Sequence, residues 1–188
     1  MFVSDYFLFF YYFSYRLFFH TFADEDKHQH ILNLKIMDKQ KSIETLQFFI
    51  TALNAQSFSH KLQARLFGSL GFKKLETKYL EHAKEEGEFV DQFIGRLLDL
   101  GGELKQEAVE AQKLYNDPVE FLKADYQVSV DGIEMLRKCI DGIKDDLTTF
   151  DIMKEYLKDE EEDMYWSEEQ LGLIELIGSK PWLMKTAL

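Results

Sequence analysis

The residues with chemistry to offer are two histidines and a set of acids that fall among regularly spaced apolar positions. Between residues 42 and 177 apolar side chains recur at steps of three and four, as they do on one face of a packed helix. Ser57 and His60 interrupt the first such stripe, His82 and Glu86 the second, Ser129 the third, and Glu160 and Asp163 the fourth. A carboxylate removed from water is costly unless it is paired, protonated or bound to metal. Glu160 and Asp163 are three apart, so on a helix they face the same way. Glu86, Glu160 and Asp163 meeting the His60 imidazole between helices would form a hard-cation site, suited to iron, manganese or magnesium. A plainer reading stands beside this one. Residues 159–163 form an unbroken acidic run, and such runs commonly line a solvated face. A lone histidine such as His60 is more often a hydrogen-bonded core residue than a ligand. Cys139, between apolar neighbours, reads as a small buried hydrophobe.

The elements that would carry these residues are long helices. The first spans about 42–69, with Leu46, Ile50, Leu53, Ser57, His60, Ala64 and Phe67 on its seam and Gly71 as its break. The second spans about 72–100 and stops at Gly101-Gly102, a C-terminal signal. A polar stretch, 103–116, leads to Asp117-Pro118-Val119-Glu120, which places an N-cap, a first-turn proline and a third-position acid in order. The third helix then runs to about 144, with Leu122, Tyr126, Ser129, Ile133 and Leu136 on its seam. The fourth covers about 149–177, Gly178 ends it, and Ser179 caps a short fifth. Two short turns make antiparallel hairpins, and a connector of about 16 residues is long enough to return along the bundle. The expectation is an all-α four-helix bundle with one long crossover and a short C-terminal helix, the ferritin-like class.

Composition narrows the function. The chain has 188 residues, and its 34 acids against 22 bases give a net charge of -12. That balance argues against a nucleic-acid partner. A single cysteine excludes an internal disulfide or a thiolate zinc site. Eight Phe and four Tyr crowd the first 22 residues. Asp5, Arg16 and His20 break the run as a membrane span, and no small-residue cleavage pattern follows it. Met37 opens a plain polar start. The expectation is that residues 1–36 lie outside the functional fold, as a mis-set start or an export or membrane segment. The domain is then 37–188, cytoplasmic, with no membrane segment and only two histidines.

Ala64-Arg65-Leu66-Phe67 with Gly71, the run from Tyr79 to Glu86, Val130-Asp131-Gly132, and Leu157 to Glu161 followed by Trp166 together resemble bacterioferritins over about 43–180. The resemblance implies a hollow 24-subunit shell that oxidises Fe(II) at a di-iron centre and stores ferric mineral. It implies a carboxylate on the first helix, Glu-x-x-His on the second, a carboxylate on the third and Glu-x-x-His on the fourth. On the matching positions stand Leu53, then Glu86 and Phe89, then Ser129, then Glu160 and Asp163. Two of six ligands match. The residue after Glu86, where the family carries its haem-ligating methionine, is Gly87, so haem is not expected. Two readings follow. One is an iron-storage subunit with a weakened or lost ferroxidase centre, in a homo-oligomer or in a mixed shell with an active ferritin subunit. In that reading Glu86, Glu160, Asp163 and His60 hold an ion, or Glu81, His82 and Glu85 form an iron-attracting patch on the shell's inner surface. The other is a structural or interaction bundle without metal chemistry, its centre refilled by apolar packing.

Overall fold

The computed structural model describes residues 5–187, with side chains described from Lys39 onward and at Lys27 and Leu32. The described secondary structure is helical: α1 Asp5–Ser69, α2 Lys73–Asp99, α3 Pro118–Asp141, α4 Leu147–Ile177 and α5 Ser179–Ala187. The chain divides into two units, 1–40 and 41–188, and the second holds the bundle. Helix α1 begins far earlier than the expected residue 42. No glycine or proline occurs before Gly68, so nothing in the chain stops a helix once it has started. The aromatic side chains of 1–22 lie outside the described residues, and of residues 1–36 only Lys27 and Leu32 have described side chains. Among the described residues no helix is long and apolar enough to cross a membrane.

The ends of the bundle helices follow from local chemistry. At Gly71, φ is +95°, a conformation open to glycine, and the chain reverses there with Phe72 N–H donating to the Phe67 carbonyl at 2.9 Å. The Asp117 side chain accepts from Val119 N–H at 2.8 Å and Glu120 N–H at 3.4 Å, and Pro118 occupies the first turn of α3. Asp146 caps α4 through Thr149 and also receives Arg96 of α2 at 2.6 Å, which locks the end of α2 to the start of α4.

Helices α1 and α2 run antiparallel: Phe49 meets Phe93 toward one end, and Phe67 meets Phe72 at the other. Phe121, at the start of α3, packs on Phe67 at 5.5 Å between ring centres. The crossover, 100–117, therefore returns along the length of the bundle. Two glutamines hold it. Gln47 donates to the Lys105 carbonyl at 3.0 Å and accepts from Lys105 N–H at 3.1 Å. Sixteen residues on, about 24 Å along α1, Gln63 does the same at Tyr115, at 2.7 and 2.9 Å. Each side-chain amide gives an irregular strand the donor and acceptor it lacks.

The interior has two apolar halves. Leu46, Phe49, Leu53, Phe93, Leu97, Leu136, Met153 and Tyr156 form one. Ala64, Phe67, Leu75, Tyr79, Phe121, Leu122 and Trp182 form the other. Cys139 is half-buried against the first.

Gln63→Leu keeps most of the volume but strips Tyr115 of both backbone partners. It is expected to cost about 1–2 kcal/mol and to speed amide hydrogen exchange at Tyr115; exchange at the native rate would contradict the clamp.

Candidate metal centre

Polar side chains lie between the two apolar halves. His60 of α1 is buried, with Nδ1 3.0 Å from both carboxylate oxygens of Glu86 on α2 and Nε2 2.9 Å from Asp125 Oδ1 on α3. Burial alone would push the imidazole pKa down; the charge of Glu86 and the hydrogen bonds to both acids outweigh it and hold the pKa well above the usual histidine value. Burial pushes the Glu86 carboxyl up, with His60 pulling the other way. The Tyr79 hydroxyl is buried beside Asp125 without a hydrogen bond of good geometry.

Around a second centre, His82 Nε2 comes within 3.1 Å of Asp163 Oδ1 on α4, but the approach is not that of an aligned hydrogen bond. Burial first, then the positive charges of Lys78 and His60, push the His82 pKa down to about 2, so its ring is neutral. Lys78 reaches Asp163 at 3.5 Å. Burial, with Asp159, Glu85 and Glu86 nearby, pushes Asp163 up to about 7 against the pull of Lys78. Glu160 is buried and pushed up to about 8, chiefly by loss of water, partly offset by the Tyr156 hydroxyl. Asp159, half-buried near Glu85 and Glu162, rises to about 6.

The sequence of this bundle matches the family model of the ferritin-like domain over residues 43–177. The chain belongs to the ferritin-like family. It is 39% identical over 133 residues to a bacterial ferritin of Neisseria meningitidis serogroup B, a match covering 68% of this chain and 82% of that one. It is 30% identical over 144 residues to a bacterial ferritin of Pseudomonas aeruginosa, covering 75% and 93%. A bacterioferritin of Streptomyces coelicolor is 29% identical over 142 residues, covering 74% and 83%.

The donor set does not fit the two-ion centre that resemblance to bacterioferritins implies. Two cations close together need bridging carboxylates to offset their repulsion. Leu53 is sealed in the apolar half with Phe49 and Phe93. Phe89 packs on the same half, 5.3 Å from the Tyr156 ring and 6.2 Å from Phe93. Ser129 is buried, and a hydroxyl cannot bridge two ions as a carboxylate does. Among the described residues no three His, Cys, Asp or Glu side chains are grouped to hold a metal ion.

Of the residues singled out in the sequence, Glu86 and His60 are brought together, and Glu160 is buried with them in the bundle interior. Asp163 is drawn to His82 and Lys78. Glu81, His82 and Glu85 are not brought together: Glu81 is exposed, Glu85 half-buried, and His82 points into the bundle. Asp125 was missed. Steps of three from Leu122 and four to Ser129 select Asp125 rather than Tyr126 for the seam, and the structure buries it.

The titrations fix a sign. Above pH about 6.5 unfolded carboxyls and histidines have shed their protons, while folded Glu160 keeps its own up to about 8. The folded state binds more protons there, so stability falls as pH rises. His60, also held above its usual value, adds in the same direction. Below 6.5 neutral His82 opposes the trend, because only the unfolded ring takes up a proton. The melting midpoint of metal-free protein should drop between pH 6.5 and 8, and Glu160→Gln should flatten that drop by up to about 1.4 kcal/mol per pH unit; an identical slope in the variant would contradict the assignment.

Proposed function

We propose that the chain is an iron-storage subunit that assembles with copies of itself, or with an active ferritin subunit, into a shell and has lost the two-iron oxidation centre. The observation that carries this is the packing of Leu53 and Phe89 into the apolar half of the core, where ligands would have to stand. Names of similar proteins, bacterial ferritins and a bacterioferritin, support the storage role. The exposed acid Glu81 and the half-buried Glu85 and Asp159 remain to attract Fe(II) electrostatically. A single ion held by Glu86, Glu160 and Asp163 would first have to displace His60 and Lys78 from two of them. Phe48, Phe58 and Leu62 on α1 and Leu98 on α2 leave apolar surface that suits a second copy.

Aerobic addition of Fe(II) to the purified chain, followed by ferric absorbance and size-exclusion chromatography, tests the reading. Iron should co-elute with a large assembly while oxidation stays slow and shows no saturable fast phase. Leu53→Glu, Phe89→His, Ser129→Glu and Asp163→His together should gain a fast phase. A fast stoichiometric phase in the native chain would overturn the lost centre. A small oligomer retaining no iron would return the chain to a structural bundle.

A further inference from the structure

One ring joins three helices at the bundle centre. His60 on α1 is in contact with Glu86 on α2 at 3.0 Å and with Asp125 on α3 at 2.9 Å, and all three side chains are almost wholly removed from solvent. A neutral imidazole offers one N–H and one lone pair, whereas a carboxylate only accepts. With a carboxylate against each ring nitrogen, both contacts are hydrogen bonds only when the ring carries both protons. That ring has no lone pair left for a metal, and the two acids already face a cation.

We propose that His60 is a tethered cation that fills, from within the chain, a cation-binding site formed by Glu86 and Asp125, and that truncating it opens this site to a small exogenous cation. The proposal rests on the reading above, in which the bundle no longer holds two irons. The site has an approach. A cleft of about 190 Å³, walled by Gln56, Ser59, Gln112 and Tyr115, opens onto His60 and Asp125 from outside the bundle. Lys113, a cation on its wall, stacks over the Tyr115 ring at 4.1 Å. Ala52, Phe121, Ala124 and Val128 complete the wall, so the cleft is mixed in character and suits a planar, partly apolar cation better than a hydrated ion. Imidazolium fits most closely, because it restores the lost ring; a divalent ion such as Mn²⁺ is the alternative guest for two facing carboxylates.

The experiment uses the full chain with His60→Ala. Its melting midpoint should fall by several degrees, millimolar imidazole should restore at least half of the loss, and calorimetry should show one imidazole, or one Mn²⁺, bound per chain beyond whatever the native chain binds. Adding Glu86→Gln and Asp125→Asn to His60→Ala should abolish the response. A midpoint unchanged by His60→Ala, or the same imidazole response in the triple variant, would overturn the proposal. Should His60→Ala not fold, a long-range ¹⁵N–¹H spectrum of the native chain decides. It should show both His60 nitrogens protonated, with no change on adding Zn²⁺, and a single protonated nitrogen or a zinc-shifted ring would overturn it. Failure of the storage reading would show separately, as saturable Fe(II) oxidation by the native chain whatever the imidazole response.

Discussion

The position of His60 between Glu86 and Asp125 is the constraint around which the rest of the bundle is arranged. Two carboxylates taken out of water repel one another and lose their hydration; a charged ring bonded to both offsets much of that cost. The arrangement works only if α1, α2 and α3 are held in register, since contacts of 2.9 and 3.0 Å allow little slip. The apolar halves on either side supply that register. Phe67, Tyr79 and Phe121 interlock below the ring, at 6.0, 5.5 and 4.9 Å between ring centres pairwise, and Phe49, Phe93 and Tyr156 interlock above it. The remaining interior titratable groups shed charge by other means. Glu160 keeps its proton to about pH 8, and His82 stays neutral.

Asp125 reaches the ring because α3 begins at the correct end of the bundle, and that depends on the crossover. Asp117 and Pro118 start the helix, but Gln63, one turn from His60 on α1, pins Tyr115 just before it. The side of α1 that supplies the cation thus also fixes the strand that delivers the second acid. The same helix carries Leu53, whose burial among Phe49 and Phe93 removes a ligand position from the family's centre. On the proposed reading, one seam of α1 thus carries both the apolar Leu53 and the His60 ring that faces Glu86 and Asp125.

Much of this was legible in the residues. Gly71, the Gly101-Gly102 pair, Asp117-Pro118 and Gly178 marked helix ends within a few residues, because backbone conformations and caps are local properties. The seam positions of His60, Glu86 and Glu160 followed from periodicity, and they are buried. Three things were not legible. Helix α1 extends to Asp5 because a stretch without glycine or proline has no stop signal, and apolar periodicity reports packing rather than helicity. Asp125 was passed over because steps of three and four from Leu122 offer both it and Tyr126, and hydrophobicity chose the wrong one. His82 is buried, as its seam position implies, and its alternative grouping with Glu81 and Glu85 fails because one residue is about 100° of helix turn, which leaves Glu81 facing out. Partner choice between buried acids is a three-dimensional property: that His60 would take Asp125 and Glu86, and His82 would approach Asp163, required four helices at once.

The central claim is that an imidazole, not a metal ion, occupies the bundle centre. Anomalous diffraction at the iron edge from crystals soaked anaerobically in Fe(II) tests it most directly. The account predicts no anomalous peak between Glu86 and Glu160, with the His60 ring still bonded to Glu86 and Asp125. Two peaks between α2 and α4, or one peak with His60 swung away from Glu86, would contradict it.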